Sequence, residues 1–315
     1  MVLEFREDPS KGDVVIVANE RAKRPEVFGT ALCPFCKGAE STTPPTTFAL
    51  PNEADWKVRT FRNLFAVLKP EGKFTPNEGG ESFWRSQGVG DHEIIVETDV
   101  HGKLLQEFSY DELSMVFKAY KNRYAELSAR EGMRCVFLFK NHGRLAGASI
   151  EHEHAQIIAL PFIPPIIQRE IDRAEEHRQK HGDCLYCDLL SREKENVLFE
   201  NNSFAAICPS FSRFPFEIWI LPKTHRNAIS EFGNDEGLEF MRLLQDCVKA
   251  LSKVSKDYNV VYHCAPEGTD LHFHAEIYPR SNVWAGIELG TGLLVNIKTE
   301  KEALAALKKP EDYGK

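Results

Sequence analysis

Several large protein classes are excluded by what this chain of 315 residues does not contain. No apolar stretch approaches the length of a bilayer span, and the first residues carry no basic region followed by an apolar core. The expectation is a cytoplasmic protein with no membrane partner. No compact run of Lys and Arg offsets a formal charge of -8, which argues against a nucleic-acid scaffold while leaving small anionic ligands open. There is no glycine-rich phosphate loop of the P-loop or dinucleotide type. Cysteine is scarce as well: eight residues are too few for a disulfide scaffold in a chain of this size.

Four of those eight fall into two pairs, Cys33-Pro-Phe-Cys36 and Cys184-Leu-Tyr-Cys187. In a reducing compartment such pairs read first as metal ligands and second as redox motifs. Cys135, Cys208, Cys247 and Cys264 sit among apolar neighbours and read as inert core residues.

The pairs open a longer pattern that occurs twice. In the first half, Cys33-Pro-Phe-Cys36 is followed by a strand-like stretch ending in Asn63 to Pro70, then by a loop over 71–91 and a strand from His92 to His101. A helix starts at Ser109, where Ser109 and Glu112 make a capping box ahead of Leu113, Val116, Phe117, Tyr120, Tyr124 and Leu127 at helical spacing. A strand from Cys135 then leads to His152-Glu-His154-Ala-Gln156. The second half repeats the order: Cys184-Leu-Tyr-Cys187, Asn202 to Pro209, Phe216 to His225, a helix with Leu238, Met241, Leu244, Val248 and Leu251, a strand over 259–263, and His272-Phe-His274.

One α/β unit has thus been duplicated, with halves over 1–165 and 166–315 and a helical stretch over 163–182 joining them. Neither half alternates strand and helix as a parallel doubly wound sheet would. The expected class is α+β, with mostly antiparallel sheets and helices packed on one face.

The repeat selects two tetrahedral Cys₂His₂ sets for zinc: Cys33, Cys36, His101 and His152, then Cys184, Cys187, His225 and His272. On a strand His152, His154 and Gln156 share one face, so His154 stands free beside a rigid metal site, as a catalytic residue should. The basic cluster Arg21-Ala-Lys-Arg24-Pro reads either as a solvated loop or as a phosphate clamp.

Taken together, Arg21 to Pro25, Cys33-Pro-Phe-Cys36, Asn141 with Gly147-Ala-Ser149, His152-Glu-His154-Ala-Gln156, Phe216 to His225 and His272-Phe-His274 resemble the galactose-1-phosphate uridylyltransferase family of the histidine-triad superfamily. The resemblance implies two histidine-triad-like halves, a homodimer, and a double displacement. In it, a nucleoside diphosphate sugar gives its nucleotidyl group to a histidine, and a sugar 1-phosphate then takes it. It assigns His154 as nucleophile and Gln156 to the phosphoryl oxygens. Asn141, Gly147 and Ser149 fall on the phosphate path, Arg21, Arg24 and Asn63 on the nucleotide, and Glu288 on sugar hydroxyls. Two features depart from the uridylyltransferase pattern. Glu153 replaces a proline between the histidines, and the complete second cysteine pair with its Gly-Thr-Gly close is nearer the ADP-glucose phosphorylase branch, where inorganic phosphate is the acceptor. An iron-like site of the family would use Glu170, His263, His272 and His274, and so competes with the second zinc set for His272. A nucleotide hydrolase and a zinc-stabilised binding protein are the readings from other classes.

Overall fold

The computed structural model describes residues 2–29, 33–76 and 84–308. A three-stranded antiparallel sheet joins β1 (Leu3–Glu7), β2 (Val14–Ala18) and β5 (Arg85–Gln87). The larger sheet has ten strands: β3 (Thr46–Leu50), β4 (Val58–Arg62), β6 (Asp91–Val96), β7 (Cys135–His142), β8 (His154–Leu160), β9 (Val197–Glu200), β10 (Phe204–Ile207), β11 (Ile218–Pro222), β12 (Tyr258–His263) and β13 (His274–Pro279). The helices are α1 (Tyr110–Ser128), α2 (Pro165–His181), α3 (Leu185–Arg192), α4 (Asn234–Leu251), α5 (Gly286–Thr291) and α6 (Glu300–Leu307).

Strand order in the large sheet is β3-β4-β6-β8-β7-β12-β13-β11-β10-β9, antiparallel at every junction. Read outward from the β7–β12 ladder, the two flanks are mirror copies in connectivity: β7-β8-β6-β4-β3 against β12-β13-β11-β10-β9. Asn141 pairs with Asn259 across that junction, and the Asn259 amide donates to Asn141 Oδ1 at 2.7 Å.

The capping box at α1 is present: Ser109 N–H donates to Glu112 and Glu112 N–H to Ser109 Oγ. Helices α1 and α4 lie on one face of the sheet, where Leu113, Phe117, Tyr120, Phe240, Leu244 and Val248 close a single core with Ile95, Ile157, Ile220 and Ile277 from both halves. The helices meet at Gly237, where a Cβ would stand 2.1 Å from the Phe117 ring, so only glycine allows that approach. Truncating Leu113 or Leu244 in this core is expected to cost about 2–5 kcal/mol.

On the opposite face the halves diverge. Helices α2 and α3 cover the second half through Ile167, Ala174 and Tyr186, which pack on Trp219 and Leu221. The first half has one cluster there of Phe35, Trp56, Phe61, Ile94 and Ile150 and another in which Phe5, Val14 and Ile16 of the small sheet meet Ile158 and Leu160, and it leaves a cleft. The helices of the repeat share one face, and the pair α2 and α3 on the other covers the second half alone.

Three local expectations are corrected. The strand expected to end in Asn63 to Pro70 stops at Arg62, because Asn63 Oδ1 accepts the Phe65 N–H at 2.9 Å and turns the chain. The stretch 71–91, expected as loop, contains β5, which pairs with β1. The run ending at His101 leaves the sheet after Val96, and β8 starts at His154, so His152 stands just before the strand.

Candidate active site

His154 opens β8 and is paired with Val96 of β6. Its Nδ1 lies 2.7 Å from the His152 carbonyl oxygen, which can only accept, so the ring proton sits on Nδ1 and Nε2 keeps its lone pair. Burial pushes this imidazole down to about 4, so it is neutral at pH 7. Phe35 holds the ring edge-to-face at 5.1 Å between centroids.

His154 lines a cleft together with Arg24, Phe35, Asn63, Ser149 and Gln156. Pro34, Pro44, Phe61, Phe65 and Ile150 give it apolar walls, and Thr42 and Thr43 add to its polar lining. Arg24 extends one guanidinium nitrogen towards the Gly147 carbonyl at 3.5 Å. Gly147 has φ +82°, a conformation suited to glycine, and turns the chain into Ser149. Arg21 lines the adjoining cleft and donates to the Phe65 carbonyl at 2.8 Å. Asn141 sits beside this region, its side chain engaged by Asn259, and is not among the cleft-lining residues. Glu288 is not brought to the cleft: its carboxylate accepts the Ala285 N–H at 2.8 Å and caps α5.

Sequence reasoning missed His92. It is buried on β6, with Nε2 2.9 Å from Gln156 Oε1 and 3.1 Å from Asn63 Nδ2, between two expected site residues. Its one signal in the sequence is spacing: His92 stands two residues before Ile94, which lines the cleft, and itself lines the adjoining one.

Two Cys₂His₂ groups could hold metal ions: Cys33, Cys36, His101 and His152, and Cys184, Cys187, His225 and His272, each with its ligand atoms within 4.8 Å of one another. Their inner histidines are set alike. His152 Nε2–H donates to the Thr98 carbonyl at 2.8 Å, leaving Nδ1 bare at 3.7 Å from both Cys33 and Cys36 Sγ. His272 Nε2–H donates to the Pro222 carbonyl at 3.1 Å, leaving Nδ1 at 3.4 and 3.5 Å from Cys184 and Cys187. A carbonyl fixing the outer nitrogen so that the inner one can ligate is a common arrangement around metal-bound histidine. His225 is held from outside by Asp270 at 2.9 Å. Burial raises the Cys33 thiol to about 11 and the Cys187 thiol to about 12, so a cation is what would make them thiolates at neutral pH. The donor sets fit zinc. Cys135, Cys208, Cys247 and Cys264 are free and buried, as expected of core residues.

Glu153 points away from the cleft into a buried network. Its carboxylate meets Lys140 Nζ and, at 3.0 Å, His142 Nδ1, while Lys140 also reaches Glu97 at 2.5 Å and Tyr120 donates to Glu97. Burial would raise the Glu153 carboxyl, but Lys140 and His142 outweigh it and hold it far below the usual range. At Glu97 burial prevails, aided by the Glu153 charge, and the carboxyl is raised.

A third group, Glu170, His263, His274 and Glu276, could also hold a metal. His272, expected in an iron-like set, belongs instead with the second cysteine pair. Within it His263 Nδ1 faces Glu170 at 2.7 Å, and Arg213 donates to Glu276 at 2.5 Å.

The chain matches the family model for the galactose-1-phosphate uridyl transferase N-terminal domain over residues 5–164. It is 31% identical to an ADP-glucose phosphorylase of Arabidopsis thaliana over 93% of this chain and 89% of the relative. It is 28% identical to a galactose-1-phosphate uridylyltransferase of Thermotoga maritima, over 98% and 99%. A crystal structure of the Arabidopsis thaliana ADP-glucose phosphorylase with bound ADP-glucose superposes with a TM-score of 0.81 at 28% identity, covering 97% of this chain and 98% of that one. With the family model spanning both the first cysteine pair and the His154 strand, and full-length likeness beyond it, this chain belongs to the galactose-1-phosphate uridyl transferase family of enzymes.

Proposed function

We propose that this enzyme is a nucleotidyltransferase that moves a nucleoside monophosphate from a nucleoside diphosphate sugar to a sugar 1-phosphate through a covalent nucleotidyl-His154. The observation that carries this is the His154 tautomer: Nε2 is unprotonated and opens on a cleft, while Nδ1–H is held by the His152 carbonyl. Nε2 attacks the phosphorus bearing the nucleoside. The N–P bond forms, the P–O bond to the leaving sugar phosphate breaks, and the electron pair leaves on that oxygen. The Nδ1–H bond to the carbonyl stabilises the positive charge gained by the ring. The acceptor oxyanion then attacks phosphorus, the N–P bond breaks, and neutral imidazole returns.

Arg24, Ser149, Asn63 and Gln156 supply donors to the phosphoryl oxygens, with Arg21 at the neighbouring cleft; Gly147 and Asn141 shape the phosphate path. Gln156, an amide, cannot serve as a general acid or base at neutral pH, which favours transfer over hydrolysis. Zinc in the two Cys₂His₂ sets would anchor the segments that carry His152 and His272 into β8 and β13, a structural role. Each half, 1–165 and 166–315, is one copy of the duplicated unit.

Uridine with a hexose 1-phosphate acceptor is the leading pair. Adenine with inorganic phosphate is the second, favoured by the likeness to the Arabidopsis thaliana enzyme and by the complete second cysteine pair. The protein is proposed to be a cytoplasmic homodimer. No helix among the described residues is long and apolar enough to cross a membrane. The segment from Val283 to Ile297 exposes Val283, Ile287, Leu289 and Leu293 beside Leu145, an apolar surface suited to a second copy and containing Glu288.

The test is incubation with UDP-glucose or ADP-glucose labelled in the nucleotide, followed by denaturation and peptide mapping, then chase with galactose 1-phosphate or phosphate. Acid-labile label on His154, discharged by one acceptor, is expected. Equal donor hydrolysis with and without acceptor would replace the transferase by a hydrolase, and absence of both label and turnover would leave a binding protein.

A further inference from the structure

The ring of His92 touches three groups whose hydrogen-bonding sense can be worked out in order. The Val67 backbone N–H lies 3.2 Å from His92 Nδ1, and a backbone N–H can only donate. Nδ1 is therefore the bare nitrogen, and the single proton of the neutral ring sits on Nε2. Burial favours this neutral form, lowering the imidazole to about 4.

An Nε2–H donor decides what Gln156 can present to it. The facing atom, 2.9 Å away, must be the carbonyl Oε1, because the NH₂ group would place donor against donor. The rest of the amide follows: Gln156 Nε2 and its two hydrogens turn to the cleft that both Gln156 and His154 line. Asn63 cannot turn in the same way. Its Oδ1 is taken by the Phe65 N–H at 2.9 Å, and its Nδ2, 3.1 Å from His92 Nε2, meets a donor there. The Asn63 hydrogens are thus left without an acceptor on His92, and Asn63 too lines the cleft.

We propose that His92 is a positioning residue for nucleotidyl transfer: held by Val67 with its proton on Nε2, it fixes the Gln156 amide so that the NH₂ group faces the phosphoryl oxygens. This rests on the transfer reading of the site and deepens it. The effect falls on the transition state, where charge builds on the non-bridging oxygens and a preset donor costs no reorganisation. A freely rotating amide would present its carbonyl oxygen to those oxygens part of the time, where it repels them.

Wild-type transfer through labelled His154 is measured first, since its absence would defeat the transfer reading and not the lock. With transfer established, His92→Leu is expected to lower kcat by about 10²-fold while donor KM changes by less than about threefold. His92→Gln, whose amide can again donate to Gln156 Oε1, is expected to recover most of that loss. In a Gln156→Ala background His92→Leu is expected to add nothing further. Unchanged kcat in His92→Leu, or losses from the two substitutions that multiply, would overturn the proposal. Long-range ¹H–¹⁵N spectra of the wild-type protein give a readout free of folding effects. A proton on His92 Nε2, unchanged from pH 8 to pH 6, supports the lock, and a proton on Nδ1 overturns it.

Discussion

The two halves carry the same strands in mirrored order, yet one keeps a cleft over its second histidine and the other fills that space. His154 and His274 occupy matching places, each with Nδ1 bonded to the carbonyl two residues earlier, at 2.7 and 3.0 Å. Above His154 stands a cleft with Phe35 at its edge. His274 is stacked by Trp219, Tyr186 and His263 at centroid distances of 5.3, 4.6 and 4.5 Å, and no surface remains. At the third position the first half has the neutral amide Gln156 and the second has Glu276, held near 2 against burial by His263, His274 and Arg213. An anionic carboxylate there would repel a phosphoryl group. The molecule carries the mirrored scaffold twice and the open cleft beside the second histidine once.

The residues between the paired histidines differ as sharply. Phe273 packs edge-to-face on Phe232 and Phe240 inside the shared core, whereas Glu153 enters the same side of the sheet as an ion bound to Lys140. An aromatic needs only apolar neighbours, but a buried carboxylate needs every lone pair met. The first half supplies Lys140, His142 and the Leu105 N–H for that purpose.

The largest break in the symmetry should appear in activity. His154→Ala is expected to reduce transfer by roughly 10⁴-fold or more, whereas His274→Ala leaves turnover within about threefold of wild type, measured as initial rates on folded protein. Equal losses would mean that both halves act. Metal content should treat the halves alike: Cys33→Ser and Cys187→Ser are each expected to remove one zinc equivalent and to lower Tm, by elemental analysis and calorimetry. A zinc count that does not fall in either variant would remove that cluster from the metal sites.

Glu153→Ala is expected to cost about 3–5 kcal/mol in denaturant unfolding, because Lys140 stays buried with Glu97 as its one remaining carboxylate. Phe273→Leu in the other half should cost less, about 1–2 kcal/mol. A further effect is on pH. His92 and His154 fold with imidazoles lowered to about 4 from 6.5, so between those values the unfolded chain binds the extra protons. Their contribution is complete above pH 6.5 and is lost as pH falls towards 4, up to roughly 3 kcal/mol per imidazole. The slope of stability against pH should flatten in His92→Leu, and transfer should be independent of His154 protonation down to about pH 5.

Much of the scaffold was legible in the sequence because it depends on residue type and spacing. The capping box at Ser109, the apolar stripe of α1, and the two CxxC pairs with their histidines are short-range or repeated signals, and the structure gathers each cysteine pair with its two histidines as the repeat order selected them. Asn63 to Pro70 was misread because its apolar residues suit a strand, while the side chain of Asn63 ends the ladder. His92 was missed for a related reason: its neighbours Asn63, Val67 and Gln156 lie on other strands and turns.

The sequence by itself determined which atoms were on offer: two Cys₂His₂ donor sets, a second histidine in each half, an amide after one and a carboxylate after the other. Which donor and acceptor atoms a side chain carries is fixed by covalent structure and does not change on folding. Only the tertiary structure decided which nitrogen of each imidazole carries the proton, which histidine is sealed beneath Trp219 and Tyr186, and which way the Gln156 amide turns. Those properties belong to pairs of groups held about 3 Å apart by strands distant in sequence, and they come into being when the sheet closes.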